Sequence, residues 1–226
     1  MTEFIEIHGG SPEGTIMSMT ISLGIVAQCF TSIAGITYLV RTIQGINKPN
    51  VVSWLIWAGI GWAFLLVTVT GSNTDISVKI FSVTLAVSPT LVVLVALKKG
   101  YIEALGNWDR MAGLIAIVAI GIWFLMKDDP GIIPIVMLIM ADMCGIVPTL
   151  IFVCKTPTDD RPMAWIAFSF GSLLTLLSIE KWNPESYILP IWMMVGSLAV
   201  AYPLVVYRVR NKIRWREWIG VAVNQK

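Results

Sequence analysis

A chain of 226 residues that is 56% hydrophobic and only 13% charged has too few polar side chains to cover a soluble core, so its apolar surface must meet lipid. Sixteen Lys and Arg against fourteen Asp and Glu leave a net charge of +2, which excludes the broad basic surface of a nucleic-acid binder. One histidine, His8, and three cysteines, Cys29, Cys144 and Cys154, supply neither a metal-ligand set nor a disulfide framework; no metal and no cofactor are expected.

The chain starts MTEFIEIHGG, with Glu3 and Glu6 where a secretory signal carries positive charge. Residues 1–16 therefore read as an uncleaved segment preceding the first membrane helix. A hydrocarbon core about 30 Å thick needs roughly 20 apolar residues of helix. Stretches of that kind occupy 17–40, 51–70 and 80–97, then 111–126, then 131–154, 163–179 and 187–207. They predict an all-α membrane protein with seven transmembrane helices. Of the 16 basic residues, 13 fall in 41–50, 98–110, 155–161 and the tail from Arg208. Only Lys79, Lys127 and Lys181 fall on the other side. The positive-inside rule then puts the N-terminus outside and the C-terminus in the cytoplasm. The basic tail 208–226 reads as ordinary flanking charge, facing the headgroups of the bilayer.

The first three spans resemble the last three. Gly35–Leu39 aligns with Gly145–Thr149 at an offset of 110, and Ser53–Ile56 aligns with Ala164–Ala167 at 111. Leu85–Val87 followed by Pro89 answers Leu198–Val200 followed by Pro203 at 113–114. The order is kept, so the chain divides into a three-helix repeat (17–100), a connector helix with its flanks (101–130) and a second three-helix repeat (131–207). An odd connector returns the chain to its starting face, which makes the two triplets parallel.

With the junctions Lys48-Pro49-Asn50-Val51-Val52-Ser53-Trp54 and Asp160-Arg161-Pro162-Met163-Ala164-Trp165, and with Ala141-Asp142 leading to Pro148-Thr149, this plan resembles the SWEET and PQ-loop superfamily. The likeness covers about residues 20–210 and is nearest to prokaryotic seven-helix SWEET-like proteins. It implies a 3+1+3 fold, a place in the prokaryotic inner (plasma) membrane and a role in moving a small solute. The Pro-Gln dipeptide of the PQ-loop branch is absent, and no Asn lies inside a span where sugar carriers place one. The substrate therefore stays unassigned.

Asp142 is the one acidic residue near the middle of a span, where a carboxylate costs roughly 2.5–3.5 kcal/mol on insertion scales and should face a cavity or a polar partner. Gly145 and Thr149 share its helix face and leave room beside it. Two readings stay open: a protonatable gate or substrate acceptor, and a protonated Asp bonded to a neighbouring helix. The repeat offset carries Asp142 back to Ser32, one turn from Gln28, so Gln28 and Ser32 are candidate partners from the first triplet.

Pro89, Pro148 and Pro203 lie well inside spans, where proline weakens the helix and offers a hinge. Most of the ten tryptophans, Trp54 and Trp165 among them, sit near span ends as interfacial anchors. Trp57 and Trp192 are deeper and could stack on a solute. Asp128-Asp129 and Asp159-Asp160 read as solvated loop charge, and no nucleophile or phosphate-loop motif points to an enzyme. The expected function is small-solute transport by alternating access around a midplane site, with proton linkage through Asp142. The alternative is a receptor or assembly protein of the same helix plan that moves no solute. A homo-oligomer is compatible with either.

Overall fold

The computed structural model describes residues 12–70, 76–101, 106–126, 133–179, 182 and 184–219. Among them are eight helices: α1 Pro12–Gln44, α2 Val51–Thr70, α3 Ile76–Lys98, α4 Asn107–Met126, α5 Ile133–Lys155, α6 Pro162–Leu177, α7 Pro184–Arg210 and the short α8 Trp215–Trp218. Each apolar stretch of the sequence falls on one of α1–α7. Three runs among the described residues, Ser22–Gln44, Asn107–Met126 and Pro190–Arg210, are long and apolar enough to cross a membrane; Val51–Ala63, Val83–Lys98 and Pro162–Leu177 are shorter apolar helices. Large side chains such as Leu125, 84% exposed, and Ile117 point outward from the bundle. In water such a surface would be unstable; against lipid it is the expected one. His8, Lys127, Asp128, Asp129 and Lys181 lie outside the described residues.

Helix ends follow from local chemistry. Gly45 (φ 77°) and Gly100 (φ 71°) end α1 and α3 in the left-handed conformation that only glycine adopts at little cost. Each turn then closes with a backbone bond five residues back, Ile46 N to Arg41 O at 2.9 Å and Tyr101 N to Ala96 O at 3.0 Å. Pro162 opens α6, where its missing N–H costs nothing. Asn50 Oδ1 accepts from Ser53 N at 3.0 Å and so caps the first turn of α2.

In the packing, α3 lies against both α1 and α2, and α7 lies against both α5 and α6. Between these groups α1 packs on α6 and α2 on α5, while α4 rests on α5 and α2. Lys48 joins the α1–α2 turn to the α5–α6 turn through its backbone N, 2.7 Å from Asp159 O, and its Nζ, 2.9 Å from Asp159 Oδ1. Arg208, near the end of α7, donates to Pro157 O of the same turn at 3.2 Å. A Cβ built on Gly45 would lie 3.2 Å from the hydroxyl of Tyr101, just past α3. The C-terminal ends of α1, α3, α5 and α7 therefore gather at one end of the bundle.

Candidate functional site

A cavity of about 140 Å³ lies among α1, α2, α3, α5, α6 and α7; α4 contributes no lining residue. Five pairs of its lining residues stand 111 positions apart: Thr31 and Asp142, Gly35 and Ile146, Trp54 and Trp165, Trp57 and Phe168, and Leu85 and Gly196. Thr84, Leu85, Ser88 and Pro89 line it from α3, and Met193, Gly196 and Ser197 from α7.

Two glycines allow close packing around the cavity. Pro89 has no N–H to give Leu85 O, the carbonyl four residues back, so that oxygen is left without its helix bond. Gly61 of α2 sits directly on it: a Cβ there would collide with Leu85 O and come within 2.8 Å of Ala86 Cα. The freed carbonyl and the close approach of α2 to α3 thus share one spot. On α5 a Cβ on Gly145 would meet Trp57 Nε1 at 2.5 Å, so only glycine lets the indole of the lining residue Trp57 pass over α5.

That indole reaches Asp142, one turn earlier on α5. From the other side Trp192 of α7 donates its Nε1–H to Asp142 Oδ2 at 2.8 Å. Asp142 is 6% exposed and lines the cavity, and no Lys, Arg or His is among the lining residues. Indole N–H groups are neutral donors, so they hold the carboxylate in place without cancelling its charge.

Towards the end where the turns gather, the cavity is floored by aromatic rings. Tyr38 and Trp54 lie 4.4 Å apart by ring centroids, Tyr38 and Trp165 5.7 Å, and Trp54 and Trp57 5.2 Å. Tyr38 and Trp165 also face away from the cavity with their polar atoms. Tyr38 Oη donates to Asp160 Oδ2 at 3.0 Å and Trp165 Nε1 donates to the same oxygen at 3.3 Å. The Arg161 backbone N donates to Asp160 Oδ1 at 2.6 Å. Arg208, 2% exposed, donates to the carbonyls of Leu204, Pro157 and Asp160. Burial pushes the Asp160 carboxyl up to about 6, against the opposing pull of the Arg161 N–H, Tyr38, Trp165 and Arg208.

This network corrects the reading of Asp159-Asp160 as solvated charge. Asp159 is partly exposed and pairs with Lys48, but Asp160, 1% exposed, turns inward because three donors converge on it. Arg208 likewise belongs to the helix end and not to a free tail. Trp54 and Trp165 sit near helix ends as expected, yet they face inward and pack with Tyr38, Val92 and Ala164.

The remaining candidates divide. Trp57 lines the cavity and Trp192 holds Asp142. Gln28 and Ser32 are half-buried on α1 and do not line the cavity; their neighbour Thr31 does. Thr149 is buried one turn beyond Ile146, its Oγ1 without a hydrogen-bond partner, and lines no part of the cavity. Pro89 is a wall residue, whereas Pro148 and Pro203 lie inside α5 and α7 away from the lining. Cys29 and Cys154 are exposed. Compared with family models, curated proteins and solved structures, the chain finds no match in any of the three.

Proposed function

We propose that the chain is a small-solute transporter of the SWEET-like kind, with seven transmembrane helices in a 3+1+3 arrangement of parallel repeats. One observation carries this reading: a cavity drawn from all six helices of two triplets, with wall residues paired at a constant spacing of 111 and α4 left out. The packing supports it as well. Exchanging α1, α2 and α3 with α5, α6 and α7 turns the α1–α3, α2–α3 and α1–α6 contacts into the α5–α7, α6–α7 and α5–α2 contacts, all of which occur. The Lys48–Asp159 pair, also 111 residues apart, lies where a two-fold axis along the membrane normal would pass.

In this account the triplets rock about the cavity. Its floor at the turn-bearing end is the Tyr38, Trp54 and Trp165 cluster, latched from below by Asp160. That latch joins α1 to α6 across the two triplets, so breaking it opens the cavity towards the basic end. By the positive-inside rule that end is cytoplasmic. Asp142 binds solute, and exchange of a proton there would link transport to a pH gradient.

The experiment is uptake into proteoliposomes of a panel of sugars, amino acids and small metabolites, with and without a pH gradient. Uptake above that of protein-free vesicles for at least one solute is expected. No uptake across the panel, with the protein folded and inserted, would favour a receptor that binds without transporting.

A further inference from the structure

Three features of the cavity narrow its solute class. The first is charge. Asp142 is nine-tenths buried, and among the described residues its close polar contacts are neutral indoles. A carboxylate has about four acceptor positions, so two indoles leave capacity open to the cavity. An uncompensated buried charge is costly, and no lining side chain supplies the counter-charge. An anionic solute would add a second like charge and is excluded.

The second is the wall. The rings of Trp54, Trp57 and Trp165 meet at steep angles, 88° between Trp54 and Trp57 and 60° between Trp57 and Trp165. They therefore form angled walls and not a closed stack. The face of an indole attracts a cation within about 6 Å of its centre.

The third is the small number of hydroxyl donors. Thr31 Oγ1 donates within its own helix, 3.0 Å from Gln28 O, Ser197 Oγ donates to Met193 O at 2.7 Å and Tyr38 Oη to Asp160 Oδ2 at 3.0 Å, so Thr84 and Ser88 are the other hydroxyls on the wall. A polyhydroxylated solute would bring many polar groups to a wall with few answering ones, at a cost for each group left unpaired. The volume, close to the ~150 Å³ that holds benzene in an engineered apolar core, suits a compact molecule.

We propose that the cavity binds a small organic monocation with an apolar body, its charge at Asp142 and its body against Trp57 and Trp165. The binding claim rests on the cavity alone; only the passage of the cation across the membrane rests on the transporter reading.

The test uses choline and tetramethylammonium against 3,3-dimethyl-1-butanol, which has the shape of choline with carbon in place of the charged nitrogen. Binding to the purified full-length protein is followed by tryptophan fluorescence and by calorimetry. At least one cation should bind about tenfold or more tightly than the neutral alcohol. Asp142→Glu should keep the preference, and Asp142→Asn should abolish it. Equal binding, tighter binding of the alcohol, or no binding of either cation to the wild type overturns the proposal without reference to any variant. Proteoliposome uptake separates it from the transporter reading. Cation binding without uptake would overturn transport and leave the cation site. Uptake of a neutral solute with no cation binding would do the reverse.

Discussion

Trp192 gives its indole N–H to Asp142 Oδ2 at 2.8 Å, tying α7 to α5 at the cavity wall. Hydrogen bonds to a charged acceptor contribute about 1.5–3 kcal/mol, more than neutral ones. Trp192→Phe keeps an aromatic ring and removes the donor. The variant should melt at lower temperature in detergent than the wild type and bind solute more weakly. An unchanged melting temperature would mean that Asp142 is positioned without Trp192.

The Asp160 latch should respond to pH. Burial holds its carboxyl at about 6, so the packed network keeps a proton that a hydrated Asp160 would release. Closure is then fully favoured below the ordinary carboxylate value of about 4 and weakens as pH rises through about 6. One proton can change the closed-to-open ratio by at most about tenfold per pH unit. Hydrogen exchange at the amides of Lys48 and Arg161, corrected for the intrinsic chemical rate, should quicken between pH 5 and pH 7.5. Asp160→Asn should flatten the response. Slower corrected exchange at the higher pH would reverse the assignment.

Gly61 and Gly113 offer a matched comparison on two helices. A Cβ on Gly61 would collide with Leu85 O, while one on Gly113 meets nothing within 4 Å. Overpacking of this kind costs about 1–3 kcal/mol. Gly61→Ala should lower the melting temperature clearly, and Gly113→Ala should leave it unchanged or raise it, since alanine is the better helix former. Equal effects would mean that α2 and α3 can separate freely.

Orientation is open to a reporter fused after Lys226 that is active only outside the cytoplasm. It should stay silent, given 13 basic residues on one side and three on the other. Activity would invert the latch and place it at the outer mouth.

The helices were legible because apolar runs of membrane length are interrupted only by short polar turns. Asp142 was legible because an acid in the middle of such a run demands a polar neighbour. In the proposed repeat its counterpart shifts by one position. An offset of 110 points to Ser32, whereas the lining residues pair at 111 and select Thr31. One residue is a 100° turn around a helix, enough to move a side chain off the cavity wall. The latch was illegible for a different reason. Asp159 and Asp160 are neighbours of the same type in a short turn, and only the approach of Tyr38 from α1 and Arg208 from α7 decides which one is buried. Tyr38 inside a span and Arg208 at the edge of another were the available signals, but nothing local joins them.

Alternating access is the central claim, and its most direct test is the reach of a water-soluble reagent to one wall residue from each side. Ser88 lines the cavity on α3. In a background with Cys29, Cys144 and Cys154 replaced by alanine, Ser88→Cys would be exposed to a membrane-impermeant thiol reagent in oriented vesicles, first outside and then inside. The account predicts labelling from both sides, with the solute slowing both. Labelling from one side alone, under every solute and pH condition, would contradict it and describe a pocket that never opens across the membrane.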